Sequence, residues 1–397
     1  MQPYRPGAHL DTERLISVPY FDLKIDPGEK PNEYLVRSAN GQQLQLVYFD
    51  KSSINESLNY IRTRDGLFDL PHYDQECRKI GFALFNSFFV GAIGNQYREY
   101  VRSLYELPEN TCRDPQLRIF IPDDLHGCPW ELLRTELRPN ASEVDDRQLY
   151  ISRKGIVIRY VNNKEAPLRN VTGRVTPPLR LLYVFASPIG FKPLGQPDFP
   201  TNSNILRIPK RVARTYDEFQ KNIGGDTKAF LFHGHGQITS DQGSALVFEI
   251  GKRRPDPIPA WQVGRETLNF NTELVMLSAC QTASFDSGFF QDSAVGQIIL
   301  DGYPALVTAY QTEIDSWAGA AFAERFVGSL YQQSLVQCMR AGRIGILDLY
   351  NPNADDLNRI PLQRASRDWW VPVIYSSTKN PEVMFHKPEA VLDRLGG

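Results

Sequence analysis

The sequence is short of several things, and each shortage narrows what the protein can be. Its 397 residues contain no apolar run approaching the ~20 that cross a bilayer. The opening MQPYRPGAHLDTER lacks the charged-then-apolar plan of a secretory leader, so a soluble, cytoplasmic protein is expected. Cysteine is sparse: Cys77, Cys112, Cys128, Cys280 and Cys338 are odd in number, scattered and nowhere spaced as CxxC. Neither a disulfide framework nor a zinc knuckle is suggested, and at least one thiol is free. An excess of one charge is missing too. The 44 Lys and Arg nearly balance 46 Asp and Glu, and no basic run interleaved with aromatics is available to follow a phosphate backbone. Neither nucleic acid nor a membrane is expected as a partner.

What is present is enough apolar material, 42% of the residues, to fill the cores of two domains at this length. Residues 13–50 alternate apolar and polar between turn signals and read as a few strands. From Tyr73 to about Leu107 the apolar period becomes helical, and the Phe82, Phe85, Phe88, Phe89 stripe reads as a packing face. QLRIFIPDD reads as a strand, PWELL (Pro129, Trp130, Glu131) as a packing turn into a short helix, and YISRKGIVIRYV as a strand pair. The polar, Pro-containing stretch 162–178 has no apolar period and is read as a connection between two regions, 1–165 and 175–397. Beyond it strands alternate with helices, which predicts a mostly parallel sheet covered on both faces.

Two strand ends carry chemistry. In KAFLFHGHGQ an apolar strand runs into His233-Gly234-His235-Gly236, and ELVMLSACQT delivers Cys280 in the same way. Sites of open α/β sheets gather at the carboxyl ends of strands, so neighbouring ends would bring imidazole and thiol into one crevice. A thiolate is the nucleophile, and a cysteine must be activated by a base to supply it at neutral pH. Gly236, having no side chain, lets a carbonyl approach its N–H, which with the N–H of Cys280 forms a candidate oxyanion hole. Taken singly, a cysteine or histidine is an ordinary core residue. No second cluster with ligand spacing accompanies the histidines, so no metal is expected.

FLFHGHG, SALVF, LVMLSACQT, the run AVGQIILDGYPALVTAYQTEIDSWAGAAFAERFVGSL and WWVPVIY together resemble the CHAT cysteine peptidases, relatives of caspases and separases. The likeness extends over residues 116–386. It implies an α/β fold of the caspase–haemoglobinase type, mostly parallel with helices on both faces, plus an N-terminal α+β regulatory or pseudo-peptidase half. It further implies a Cys280 nucleophile, a His235 base, backbone oxyanion donors at Gly236 and Cys280, and no cofactor. His233, by its position, is expected to be structural or to line a pocket. The expected activity is that of a cysteine endopeptidase cutting a specific protein partner under the control of an activating protein, as a bacterial defence or cell-death effector. The alternatives are an inactive caspase-fold scaffold or a different thiol-dependent enzyme.

Two departures from the relatives concern specificity. Ser316-Trp317-Ala318 has no Arg after the Trp, which leaves a substrate aspartate unpaired. Ser278 stands where Arg-cutting relatives carry an acid. Asp286, Glu313 and Asp315 remain as candidate acids for a pocket that favours a basic P1, although Asp315 also suits a helix cap. Lys252-Arg253-Arg254 reads as an exposed loop that such an enzyme could cut.

Overall fold

The computed structural model describes residues 20–38, 44–62, 69–106, 115–135, 150–161, 179–197, 199, 206–207, 212–239, 243–280, 282, 293–302, 304–330, 335–349 and 364–378. The strands are β1 (Phe21–Pro27), β2 (Glu33–Ser38), β3 (Gln45–Tyr48), β4 (Gln116–Ile121), β5 (Ile156–Val161), β6 (Leu179–Phe185), β7 (Leu206–Arg207), β8 (Ala229–His233), β9 (His235–Thr239), β10 (Gly243–Ile250), β11 (Arg254–Pro259), β12 (Leu274–Ser278), β13 (Leu306–Tyr310) and β14 (Pro372–Ser376). The helices are α1 (Ser52–Arg62), α2 (Leu70–Phe88), α3 (Gly91–Tyr105), α4 (Ile151–Lys154), α5 (Tyr216–Asn222), α6 (Ala260–Asn269), α7 (Ala294–Gly302), α8 (Ser316–Ser329) and α9 (Leu335–Leu347).

Eleven of these strands form one sheet in the order β3-β2-β1-β4-β5-β14-β13-β12-β8-β6-β7, and β11-β10-β9 form a second. The central pairings β6/β8, β8/β12 and β12/β13 are parallel, whereas β14 runs antiparallel to β13 and parallel to β5. Strands AFLFH, LVMLS, LVTAY and PVIYS are buried throughout, as a sheet covered on both faces requires. Their side chains divide by alternation. Leu231, Met276 and Leu306 join a core with Phe322 and Phe326 of α8, while Phe230, Phe232, Val275, Leu277 and Val307 join another with Phe219 of α5, Val263 of α6 and Ile298 of α7. Each such buried side chain contributes about 1.5–3 kcal/mol. In β1 only alternate residues are buried, so this end of the sheet has one packed face.

Local chemistry explains the helix boundaries. Asp69 caps α2 by accepting from the His72 N–H, with Pro71 in the first turn, and Tyr73, Cys77, Ile80, Leu84 and Phe88 form its buried stripe. Thr215 and Glu218 close a capping box on α5. The expected single helical stretch from Tyr73 to Leu107 is two helices, because the chain breaks at Phe89 and Val90 before Gly91, whose φ of 52° suits glycine. The expected strand pair in YISRKGIVIRYV is one helical turn followed by β5, since Gly155 packs against the Pro115 backbone with no room for a Cβ. KAFLFHGHG is not one strand either. It is cut at Gly234, whose N–H donates to the Ser278 carbonyl at 3.1 Å, and the chain re-enters a different sheet at His235.

The polar connection 162–178 lies outside the described residues. The stretches on either side of it share one sheet, with β14 seated between β5 and β13. No helix among the described residues is long and apolar enough to cross a membrane.

Candidate active site

Parallel pairing of β8 with β12 puts Ser278 opposite His233 at the carboxyl ends of adjacent strands. Both side chains are buried, and His233 Nδ1 and Ser278 Oγ share a hydrogen bond of 2.7 Å. From there Ser278 Oγ reaches Tyr310 OH at 3.1 Å, and Tyr310 OH donates to the Gly319 carbonyl at 3.1 Å. A buried polar chain therefore links the ends of β8, β12 and β13 to α8. Burial lowers the His233 pKa to about 4, with nearby His235 adding to the effect and a backbone hydrogen bond at Gly195 opposing it, so the ring is neutral at pH 7.

Cys280 lies two residues past the end of β12, in a bend, and is half-buried. Its Sγ–H points to the Ile314 carbonyl at 3.9 Å. The bend is held from both sides. Thr282 Oγ donates to the Ala279 carbonyl at 3.0 Å, and the Thr282 carbonyl accepts from Val295 at the start of α7. Gly236 approaches so closely that a Cβ there would lie 2.5 Å from the Cys280 carbonyl oxygen. A small crevice opens between Gly236, Ile238, Ser244 and Cys280.

His235, the first residue of β9, is 8% exposed. Phe191 packs on its ring with centroids 4.7 Å apart. Burial holds its pKa below the ordinary imidazole value, against a backbone hydrogen bond at Lys192. Its Nε2 is buried and makes no hydrogen bond. A neutral imidazole of this kind can accept a proton from a thiol, and the half-exposed Cys280 beside Gly236 can receive a carbonyl.

The remaining candidates divide. His233 and Ser278 form the internal chain just described and do not face solvent. Asp315 caps α8, accepting from the Trp317 N–H at 2.9 Å, while its own N–H donates to Asp368 Oδ2 at 2.6 Å and Lys192 Nζ stands 3.9 Å from its carboxylate. Glu313 is exposed, and Asp286 lies outside the described residues. Trp317 is 62% exposed at the head of α8. Sequence reasoning missed Phe191, Thr282, Tyr310 and Ile314. Of these only Tyr310, a hydroxyl at the carboxyl end of a buried strand, carried a signal. Among the described residues no three His, Cys, Asp or Glu cluster to hold a metal, and Cys77, Cys128, Cys280 and Cys338 are not joined in disulfides.

Residues 200–378 match the CHAT domain family. No curated relative matches the sequence. Among solved structures, the chain is similar to the complex of Porphyromonas gingivalis RgpB pro- and mature domains, at 11% identity over 75% of this chain and 70% of that one, with a TM-score of 0.40. It is also similar to the Saccharomyces cerevisiae separase–securin complex, at 8% identity and a TM-score of 0.49, where 90% of this chain corresponds to 30% of that one.

Proposed function

From the CHAT domain at residues 200–378, we propose that this chain is a cysteine endopeptidase acting through Cys280 and His235. The observation that carries this reading is the meeting of two strand ends. His233 and Ser278 end adjacent parallel strands, and the chain just beyond each end converges, with Gly236 against the Cys280 carbonyl and His235 Nε2 making no hydrogen bond. In the reaction the Cys280 sulfur attacks the scissile carbonyl carbon, and His235 takes the thiol proton and passes it to the leaving amine as the C–N bond breaks. Water then hydrolyses the thioester. The N–H groups of Gly236 and Cys280 hold the oxyanion. His233 supports the bend and does not exchange protons, its ring being buried and tied to Ser278.

The substrate in this reading is a specific protein partner, cut by a regulated bacterial effector in defence or cell death, with an activating protein controlling access. The limited exposure of His235, covered by Phe191, favours a regulated enzyme over a general one. The test uses purified protein and a peptide library. Cys280→Ala and His235→Ala should each abolish cleavage, and the double variant should lose no more than either single one, because nucleophile and base act as a unit. His233→Ala should still cut. Substantial cleavage by folded Cys280→Ala or His235→Ala refutes the dyad. If a thiol-directed peptide probe fails to label Cys280 of wild type both in the purified protein and in the cells that make it, the inactive scaffold is the correct reading. For the partner, new protein termini in cells making wild type or Cys280→Ala should be few, and a broad ladder of cuts would remove the specific substrate.

A further inference from the structure

Glu131, at the centre of PWELL, is completely buried, as is Arg159 on β5. The two form a bidentate pair, Arg159 Nε donating to Glu131 Oε1 at 3.1 Å and Nη2 to Oε2. Arg159 Nη1 also donates to the His126 carbonyl at 3.0 Å and Nη2 to Gln311 Oε1 at 2.9 Å. Gln311 is equally saturated, its Nε2 donating to Glu131 Oε2 at 3.2 Å and to the Trp370 carbonyl at 2.9 Å. Burial opposes the charge on Arg159, but Glu131 and Tyr375 together outweigh it and the guanidinium is held above its ordinary pKa. Apolar residues often match or exceed a buried ion pair in stability, so stability alone does not account for this one. What such a cluster does supply is fixed geometry.

The geometry it fixes is that of the nucleophile. Gln311 directly follows Tyr310, and Tyr310 grips the Cys280 bend on both sides. Its hydroxyl meets Ser278 Oγ at 3.1 Å, two residues before Cys280, and its N–H donates to Thr282 Oγ at 3.3 Å, two residues after. Downstream on the same segment, Thr312 Oγ donates to the Arg62 carbonyl at 3.4 Å and the Ile314 carbonyl accepts from Cys280. We propose that Gln311, locked by the Glu131–Arg159 pair, is a positioning residue for Cys280. The N-terminal half thereby sets the attitude of the thiol. This rests on the peptidase reading for its catalytic consequence but not for its effect on the thiol.

The test is Gln311→Met, which keeps the bulk and leaves the Glu131–Arg159 pair intact. The rate of Cys280 alkylation by iodoacetamide is measured against pH, with the Cys280→Ala protein subtracted as background. In the folded variant the profile should depart from that of wild type, with a roughly tenfold slower reaction at neutral pH. On a cleaved peptide kcat should fall roughly tenfold to a hundredfold with KM little changed. A profile that superimposes on wild type in a folded variant overturns the proposal. If Gln311→Met does not fold, Thr312→Val, which releases the segment from Arg62 without touching the buried pair, carries the same test. Should wild type cut no peptide, the peptidase reading fails while the alkylation profile still decides the positioning role.

Discussion

A neutral histidine sealed beneath a strand end makes this protein sensitive to acid. His233 is 2% exposed, and its pKa is lowered from 6.5 to about 4. Between those values the unfolded chain binds a proton that the folded chain refuses. Stability from this group is therefore complete above pH 6.5 and is lost as pH falls towards 4. At 1.36 kcal/mol for each pH unit of the window, the loss amounts to about 3 kcal/mol. That is a sizeable part of the roughly 5–15 kcal/mol that keeps a domain folded. The perturbation is His233→Asn, which keeps a polar atom towards Ser278 but does not titrate. Denaturant unfolding at about pH 7.5 and 4.5 measures both proteins. The variant is expected to be less stable at the higher pH, since it gives up ring packing on Phe185, whose centroid lies 5.7 Å away. Its deficit should shrink by about 2 to 3 kcal/mol at the lower pH, because other titrating groups, buried His126 among them, act equally on both proteins. Deficits equal to within about 0.5 kcal/mol at the two pH values would refute the reasoning.

Two more outcomes follow from the crevice. Gly236→Ala places a methyl 2.5 Å from the Cys280 carbonyl, so kcat/KM should fall at least about a hundredfold in a protein that still melts cooperatively, and near-wild-type rates would show that the approach is not needed. For specificity, Arg and Lys at P1 are expected to be cut faster than Leu, Met or Asp, by about tenfold. Because Lys192 stands against Asp315, Lys192→Ala should widen that preference and Asp315→Asn should narrow it; fastest cutting of Leu or Met peptides defeats the acidic-pocket argument.

Much of the C-terminal half was legible because its strands are continuous apolar runs that end in the candidate residues. AFLFH and LVMLS announce both buried parallel strands and the place where their chemistry emerges. The break at Gly234 was not legible, since it comes from a hydrogen bond to Ser278, a residue 44 positions away in the chain. Periodicity cannot see such partners. For the same reason PWELL read as packing. A lone Glu in an apolar turn gives no hint of the Arg that meets it from β5 or the Gln that meets it after β13. Phe191 and Lys192 lie in an irregular segment without pattern, and only the fold brings them onto His235 and Asp315. Asp315, by contrast, could be read locally as a cap, because capping depends on neighbours in sequence.

The placement of β14 bears on how the protein comes into being. Both halves of the sheet grow outward from the slot that this strand fills, between β5 and β13, and Arg343 of α9 reaches from the Ser152 carbonyl to the Pro372 carbonyl across the same seam. During synthesis Cys280 leaves the ribosome about ninety residues, and His235 still earlier, before the strand that joins their half to Glu131 and Arg159. A nascent or truncated chain ending just before Pro372 thus carries Cys280 and the partners of Gln311, Glu131, Arg159 and Trp370, but not the strand that joins β5 to β13. Closure of the sheet therefore waits on β14, which translation delivers after every residue of the candidate site.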